Sequence, residues 1–112
     1  MTKRGYLGEF EHLVLLAVMR LGPESYGVTI RQEIETRSGR DVSLGAIYPT
    51  LERLEAKGYV SSYVGEPTGE RGGRSKRHFV LQPEGEKALR RSWEILSALW
   101  EGYAPEPQGG RE

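Results

Sequence analysis

Apolar and polar residues follow two different periods along this chain. Before Gly58, apolar residues recur every three or four positions, which is typical of helices that bury one side. From Tyr59 to Val64 they alternate with period two, as in a half-buried strand. The pattern predicts the order helix, helix, helix, strand, strand, helix. The expected fold class is mainly α with a small β-hairpin.

Capping and breaking residues place the ends of these elements. The first helix ends at Gly22-Pro23, Ser25 is a candidate N-cap for the second, and Ser43 is a candidate N-cap for the third. Pro83 suits the first turn of the last helix. The predicted helices span residues 7–21, 26–37, 43–57 and 83–102, and the predicted strands span 59–64 and 77–82.

This order predicts a winged helix-turn-helix. The short connection between the second and third helices is compatible with a helix-turn-helix corner, and residues 65–76 form the glycine-rich tip of the hairpin. We expect a winged helix-turn-helix domain over 1–82, a C-terminal dimerisation helix over 83–103 and a disordered tail over 104–112.

The third helix divides into three faces at 100° per residue. Leucine and isoleucine occupy the first, and Tyr48 lies on the second with two glutamates. The third carries small residues, a hydroxyl and two cations without an acid, a surface that can approach DNA closely. Its members are Ala46, Pro49, Thr50, Arg53 and Lys57. An ordinary solvated face is the alternative interpretation.

Cations also concentrate in the predicted hairpin, where Arg71, Arg74, Lys76 and Arg77 follow one another without an acid between them. The whole chain, by contrast, has 16 basic and 16 acidic residues and no net charge. Local charge governs attraction to phosphate because salt screens charges beyond about 8–10 Å. The hairpin therefore favours nucleic-acid binding, although the overall balance weakens it.

The last helix carries more apolar surface than one small domain can cover. Leu89, Trp93, Leu96, Trp100 and Tyr103 are spaced by four, three, four and three residues, which is a heptad seam. We expect this seam to pair with a second copy of the chain, although the helix could instead pack on its own domain. Trp93 and Trp100 could also sandwich a planar hydrophobic ligand; plain interface packing is the simpler alternative.

Several classes of protein are disfavoured by composition. The chain has no cysteine and two histidines, His12 and His78, on different predicted elements, neither with a carboxylate at ligand or triad spacing. We therefore expect no metal, no cofactor and no catalytic residues. The chain also lacks an apolar run long enough for a membrane span and a secretory signal, so we expect a cytoplasmic protein.

Three segments resemble the PadR family of transcriptional regulators. They are Tyr26-Gly27, the segment 45–58 with its Ile47-Tyr48-Pro49 element, and the segment 73–85. The resemblance spans about Leu7 to Leu99, and the short C-terminus is similar to the subfamily with one dimerising helix. Gln82 departs from the threonine that the family usually has before Pro83, and is a weaker cap.

The resemblance implies a dimeric, effector-responsive repressor that places its third helix in the major groove. Its implied DNA contacts are Tyr48, Thr50, Arg53, Arg74 and Lys76, and Tyr26 would support the domain or contact a phosphate. A dimer would read a pseudo-palindromic operator in double-stranded DNA. The alternative is a winged-helix adaptor that binds proteins and not DNA. The full predicted DNA-binding set is Ser43, Ala46, Tyr48, Pro49, Thr50, Arg53, Lys57, Arg71, Arg74, Lys76 and Arg77.

Overall fold

The computed structural model describes residues 7–67, 75–103 and 105. Within these residues the elements follow the predicted order, with one short strand in addition. They are α1 (Glu9–Leu21), β1 (Ser25–Tyr26), α2 (Gly27–Ser38), α3 (Leu44–Ala56), β2 (Val60–Val64), β3 (Arg77–Leu81) and α4 (Pro83–Trp100). The predicted mainly α fold with a β-hairpin is confirmed. Of the predicted tail over 104–112, all but residue 105 lies outside the described residues.

The additional strand joins the hairpin to the start of α2. The sheet has the order β1-β3-β2 and is antiparallel, with Ser25 opposite Phe79 and Ser62 opposite the same residue. The Ser25 hydroxyl is buried and donates to the Phe79 carbonyl at 2.9 Å. The prediction that Ser25 caps α2 is therefore wrong, because its hydroxyl stabilises the sheet; Tyr26 is the N-cap, and its N–H donates to Thr29 Oγ1 at 3.1 Å.

The core lies where α1 packs against the other helices and the sheet. Helix α1 contacts α2, α3, β3 and α4, which explains why its sequence is apolar on most sides. Burial of each large apolar side chain there stabilises the fold by about 1.5–3 kcal/mol. The largest apolar members are Phe79, Leu15, Ile30, Ile47, Leu51, Leu54, Val14 and Val18.

Helix α3 begins as its capping residue predicts and continues through a proline. The Ser43 hydroxyl accepts a hydrogen bond from the Ala46 N–H at 3.1 Å, so the predicted cap is confirmed. Pro49 lies inside the helix and has no N–H to donate to the Gly45 carbonyl. At the next position, the Thr50 hydroxyl donates to the Ala46 carbonyl, one turn back, at 2.9 Å.

The start of α4 is fixed by its close approach to the sheet. Gln82 is the N-cap, but its side chain makes no capping hydrogen bond and donates to Ser61 Oγ at 2.9 Å. The Gln82 N–H donates to the Tyr59 carbonyl, also at 2.9 Å. Gly85 is buried one turn into the helix, where a β-carbon would collide with the same carbonyl. Only glycine fits this contact between α4 and the sheet.

Candidate nucleic-acid interface

Helix α3 presents most of the predicted DNA-binding residues to solvent. Ser43, Ala46, Tyr48, Pro49, Arg53 and Lys57 are all exposed. Thr50 differs, because it is only 2% exposed, and the prediction that it lies on the exposed side is wrong. Ile47, Thr50, Leu51 and Leu54 follow the i, i+3, i+4, i+7 spacing of a buried helix face. This spacing in the sequence could have assigned Thr50 to the core.

The aromatic ring of Tyr48 packs against the first residue of α2. A β-carbon on Gly27 would collide with Tyr48 Oη and Cζ and would lie 3.0 Å from Cε1. Gly27 is buried, whereas Tyr48 keeps 40% of its surface exposed. The absence of a side chain at residue 27 therefore sets where the exposed tyrosine stands. This contact links the Tyr26-Gly27 and Ile47-Tyr48-Pro49 segments that the sequence presented as separate motifs.

Two exposed cations, Arg53 in α3 and Lys57 at its C-cap, both contact a carboxylate of α1. Lys57 Nζ lies 3.1 Å from each oxygen of Glu11, and Arg53 Nε lies 3.4 Å from Glu11 Oε2. The Glu11 side chain is only 12% exposed, against 57% for Arg53 and 36% for Lys57. Sequence reasoning missed Glu11 because the faces of α3 were sorted without the residues of neighbouring helices.

The surroundings of Glu11 favour its ionised form. Burial raises the pKa of this carboxyl group, but the N–H of Gly8 and the cations Lys57 and Arg53 lower it by more. The net result is a pKa below the ordinary value of 4.5. At neutral pH the pair of cations therefore faces a full negative charge.

The base of the hairpin wing lies beside α2 and α3. Lys76 Nζ lies 5.2 Å from the centre of the Tyr26 ring, and Arg77 forms an ion pair of 2.6 Å with Glu55 of α3. Arg77 Nε also donates to Ser62 Oγ at 3.0 Å. The predicted contacts Arg71 and Arg74 lie outside the described residues.

Two aromatic side chains attach the wing to the turn before α2. Tyr63 and His78 stack with ring centres 5.0 Å apart. The Tyr63 hydroxyl donates to the Pro23 carbonyl at 3.0 Å, and His78 Nδ1 lies 2.8 Å from the Glu24 carbonyl oxygen. The strands of the wing are thereby held against the turn before α2.

Helix α2 adds a cation, Arg31, that the predicted DNA-binding set did not include. Arg31 is half-buried, one helical turn after Gly27, and its Nε is buried without a hydrogen-bond acceptor among the described residues. Because side chains four residues apart lie on the same side of a helix, Arg31 is on the side of α2 that meets Tyr48. The periodicity gave no signal for it.

The predicted seam of α4 separates into a buried and an exposed part. Leu89 is 6% exposed and belongs to the core of its own domain, so the prediction that it lies on an open seam is wrong. Helix α4 contacts α1, and Ala88 belongs to the same core cluster as Leu89. The remaining seam residues Trp93, Leu96, Trp100 and Tyr103 are exposed, as are Ile95 and Leu99 beside them. Trp93 and Trp100 line a groove of about 550 Å³, together with Leu96 and Pro105.

Within the described residues no group of His, Cys, Asp and Glu is arranged to hold a metal ion. None of the helices in these parts of the chain is long and apolar enough to cross a membrane.

Three helices, a two-residue strand and an antiparallel wing define a winged helix-turn-helix, here followed by an additional helix. The family model for the PadR-like family of transcriptional regulators matches residues 15–91. The chain therefore belongs to the PadR-like family and is a transcription regulator, and not an enzyme. None of the curated protein sequences matches it.

Several solved structures of transcription regulators are similar to this chain over most of their length. The hsRosR-S1 complex of RosR from H. salinarum has 26% identity and a TM-score of 0.66 over 88% of this chain and 80% of that one. A transcriptional regulator from Clostridium thermocellum has 25% identity and a TM-score of 0.65, covering 91% and 96%. A PadR family regulator from Clostridium difficile, at 22% identity, has a TM-score of 0.68 over 88% and 100% and supports the fold alone.

Proposed function

We propose that this regulator is a homodimeric repressor that binds a pseudo-palindromic operator in double-stranded DNA and is released by a small molecule. We assign residues 1–82 to DNA binding, 83–103 to dimerisation and 104–112 to a disordered tail. The proposed partner is double-stranded DNA, and the proposed location is the cytoplasm.

The observation that carries the proposal is the meeting of α3 and the wing at the start of α2. Tyr48 packs on Gly27, and Lys76 lies over the ring of the adjacent Tyr26. An exposed aromatic side chain from the recognition helix and a wing cation are thus brought to one helix end. Arg53 and Lys57 extend the exposed cationic side along α3. A helix flanked by a cationic wing is suited to the major groove and the adjoining phosphates.

Dimerisation is supported by the second half of α4. Trp93 is 70% exposed and Leu99 75% exposed in the single chain. An exposed patch of this kind marks an interaction surface. A second copy would cover it and would place two recognition helices on one operator, roughly 34 Å apart. It would also double the phosphate contacts, which a chain without net charge needs.

Selection of bound sequences from genomic DNA tests the operator. We expect a pseudo-palindrome whose affinity falls steeply with salt. Replacing Arg74 and Lys76 by alanine should weaken binding to all sequences. It should also reduce the salt slope, which is the steepness with which log affinity falls with log salt concentration, by about two. Arg53→Ala should instead relax preference at particular base positions, whereas Arg90→Ala, on α4, is a control without effect. Absence of DNA binding even at low salt would favour a winged-helix adaptor for other proteins.

The groove between the tryptophans is the proposed effector site. Its volume of about 550 Å³ and its indole rings suit a planar hydrophobic compound. Such compounds should quench tryptophan fluorescence in the wild type, and Trp100→Ala should abolish the effect. If the quenching is unchanged in this variant, Trp93 and Trp100 serve only to pack the dimer.

A further inference from the structure

Among the described residues, only Glu11 forms ion pairs between α1 and the exposed side of α3. Its carboxylate accepts from the Gly8 N–H at 3.0 Å, from Lys57 Nζ at 3.1 Å and from Arg53 Nε at 3.4 Å. Although its two partners on α3 are exposed, Glu11 itself is nearly buried. It is held by the backbone of its own helix and directed at the recognition helix.

The guanidinium group of Arg53 is held at a second point. Its Nη2 donates to Thr50 Oγ1 at 3.1 Å, and the Thr50 hydroxyl is itself fixed by donating to the Ala46 carbonyl. A guanidinium has five N–H groups, of which these contacts use two. Among the described residues, no acceptor is recorded for the Nη1 group or the second Nη2 hydrogen, and these N–H groups form the outer edge of the guanidinium.

An arginine without such contacts must lose the freedom of several side-chain torsions when it binds a base. Prior fixing of the side chain lowers this cost and restricts the directions in which the fork can donate. Bidentate contact of arginine with the O6 and N7 atoms of guanine depends on that direction. The carboxylate of Glu11 and the hydroxyl of Thr50 supply two such constraints from residues that are themselves covered.

We propose that Glu11 is a positioning residue for sequence recognition: it orients the outer edge of Arg53 toward a base, although it contacts no DNA. The inference rests on the proposed function of α3 as the recognition helix. Glu11 also lowers the attraction of this surface for phosphate, because its negative charge lies beside Arg53 and Lys57. Its two effects on binding therefore differ: it strengthens preference for the operator and weakens binding to unrelated DNA.

The experiment compares Glu11→Gln with the wild type on the selected operator and on unrelated DNA over a range of salt concentrations. We expect binding to unrelated DNA to tighten and its salt slope to increase by about one, since one cation becomes available for phosphate. The ratio of operator to unrelated affinity should fall about fivefold or more, with the lost preference confined to particular base positions.

Glu9→Gln is the matched control. Glu9 lies on the same helix and is exposed, and it pairs with Arg40 at 3.2 Å. The Glu9→Gln substitution removes the same charge at a residue that does not contact α3. It should therefore leave the ratio of operator affinity to affinity for unrelated DNA, the specificity ratio, unchanged. In an Arg53→Ala background, Glu11→Gln should cause no further loss of the ratio, because the group that it orients is absent.

A specificity ratio that stays at the wild-type value in a folded Glu11→Gln variant would overturn the inference, even if binding to all DNA tightens. If that variant does not fold, Thr50→Val removes the other contact of Arg53 and should lower the ratio at the same base positions; an unchanged ratio there overturns the inference too. A wild type without any preferred sequence would instead contradict the proposed function.

Discussion

The exposed sides of α3 and α4 differ in whether their side chains find partners within the chain. Arg53 and Lys57 of α3 already contact Glu11 at 3.1–3.4 Å. Trp93 and Leu99 of α4 leave most of their apolar surface in water. Exposed charges are solvated whether or not they find a partner, whereas exposed apolar area gains free energy only when another molecule covers it. We therefore expect α4 to control assembly and α3 to control specificity.

The largest effect is expected from Trp93→Ala, which tests the apolar side of the comparison. If this ring is buried in a symmetric dimer, the variant loses the burial of two rings, one from each protomer. At about 1.5–3 kcal/mol for each ring, this loss weakens dimerisation about 100-fold or more. Sedimentation over a range of protein concentrations measures it. Glu94→Ala, at the next position, is the control. An unchanged dimer in Trp93→Ala would show that α4 does not govern assembly through this residue.

Gly85→Ala should cause the next largest change, by separating α4 from the sheet. The new β-carbon would collide with the backbone carbonyl of Tyr59 and lie 2.9 Å from Leu81 Cδ1. Because the Tyr59 carbonyl is held by the Gln82 N–H at 2.9 Å and cannot easily move away, we expect a loss of about 1–3 kcal/mol in the free energy of unfolding. Urea denaturation measures it.

Gly27→Ala is the counterpart at the end of α2, and its main effect should be on DNA binding. The group in the way is the end of the Tyr48 side chain, which is exposed and can move. We expect a smaller loss of stability than for Gly85→Ala, with a loss of operator affinity that matches Tyr48→Ala. Fluorescence anisotropy with labelled operator provides the test. Full affinity in Gly27→Ala would mean that the position of Tyr48 is not used.

The ion pairs of α3 should make stability depend on pH in the acidic range. The pKa of Glu11 is below 4.5 in the folded chain, so the unfolded chain binds its proton first as pH falls. The stabilisation is complete above the unfolded pKa and is lost as pH falls through the folded value. Glu11→Gln should thus flatten the decline in unfolding free energy below about pH 5. An equally steep decline in the variant would contradict this assignment.

His12 acts in a different pH range and can be separated from Glu11. Burial lowers the pKa of His12 below its ordinary value of 6.5, so the unfolded chain binds a proton at this residue more readily, and protonation lowers the free energy of unfolding as pH falls below that value. This effect of His12 on the free energy of unfolding should persist in Glu11→Gln. It should be visible at higher pH than the effect of the Glu11 carboxylate.

The smallest effect is expected from Glu55→Gln, which breaks the ion pair between α3 and the wing. Arg77 and Glu55 are both partly exposed, so the free energy of unfolding should change by less than about 1 kcal/mol. Binding to unrelated DNA should tighten, because Arg77 is freed. A large loss of stability would show that this exposed pair holds the wing in place.

Local signals in the sequence were sufficient for most of the fold. Ser43 caps α3 through its own hydroxyl, Gly39 ends α2 with a φ of 74°, and Pro83 opens α4. Each of these effects depends on residues within a few positions of one another. The strand β1 was missed because two residues carry no period, and its pairing partner Phe79 is 54 positions away from Ser25.

The residues of the candidate site were only partly predictable for the same reason. The sequence by itself determined which helix carries Tyr48, Arg53 and Lys57, and it determined that α4 is apolar along a heptad seam, since both follow from helical periodicity. Only the tertiary structure decided that Glu11 contacts the cations Arg53 and Lys57, and that Leu89 belongs to the core. Such contacts depend on how separate helices pack, and their spacing in the sequence does not record that packing.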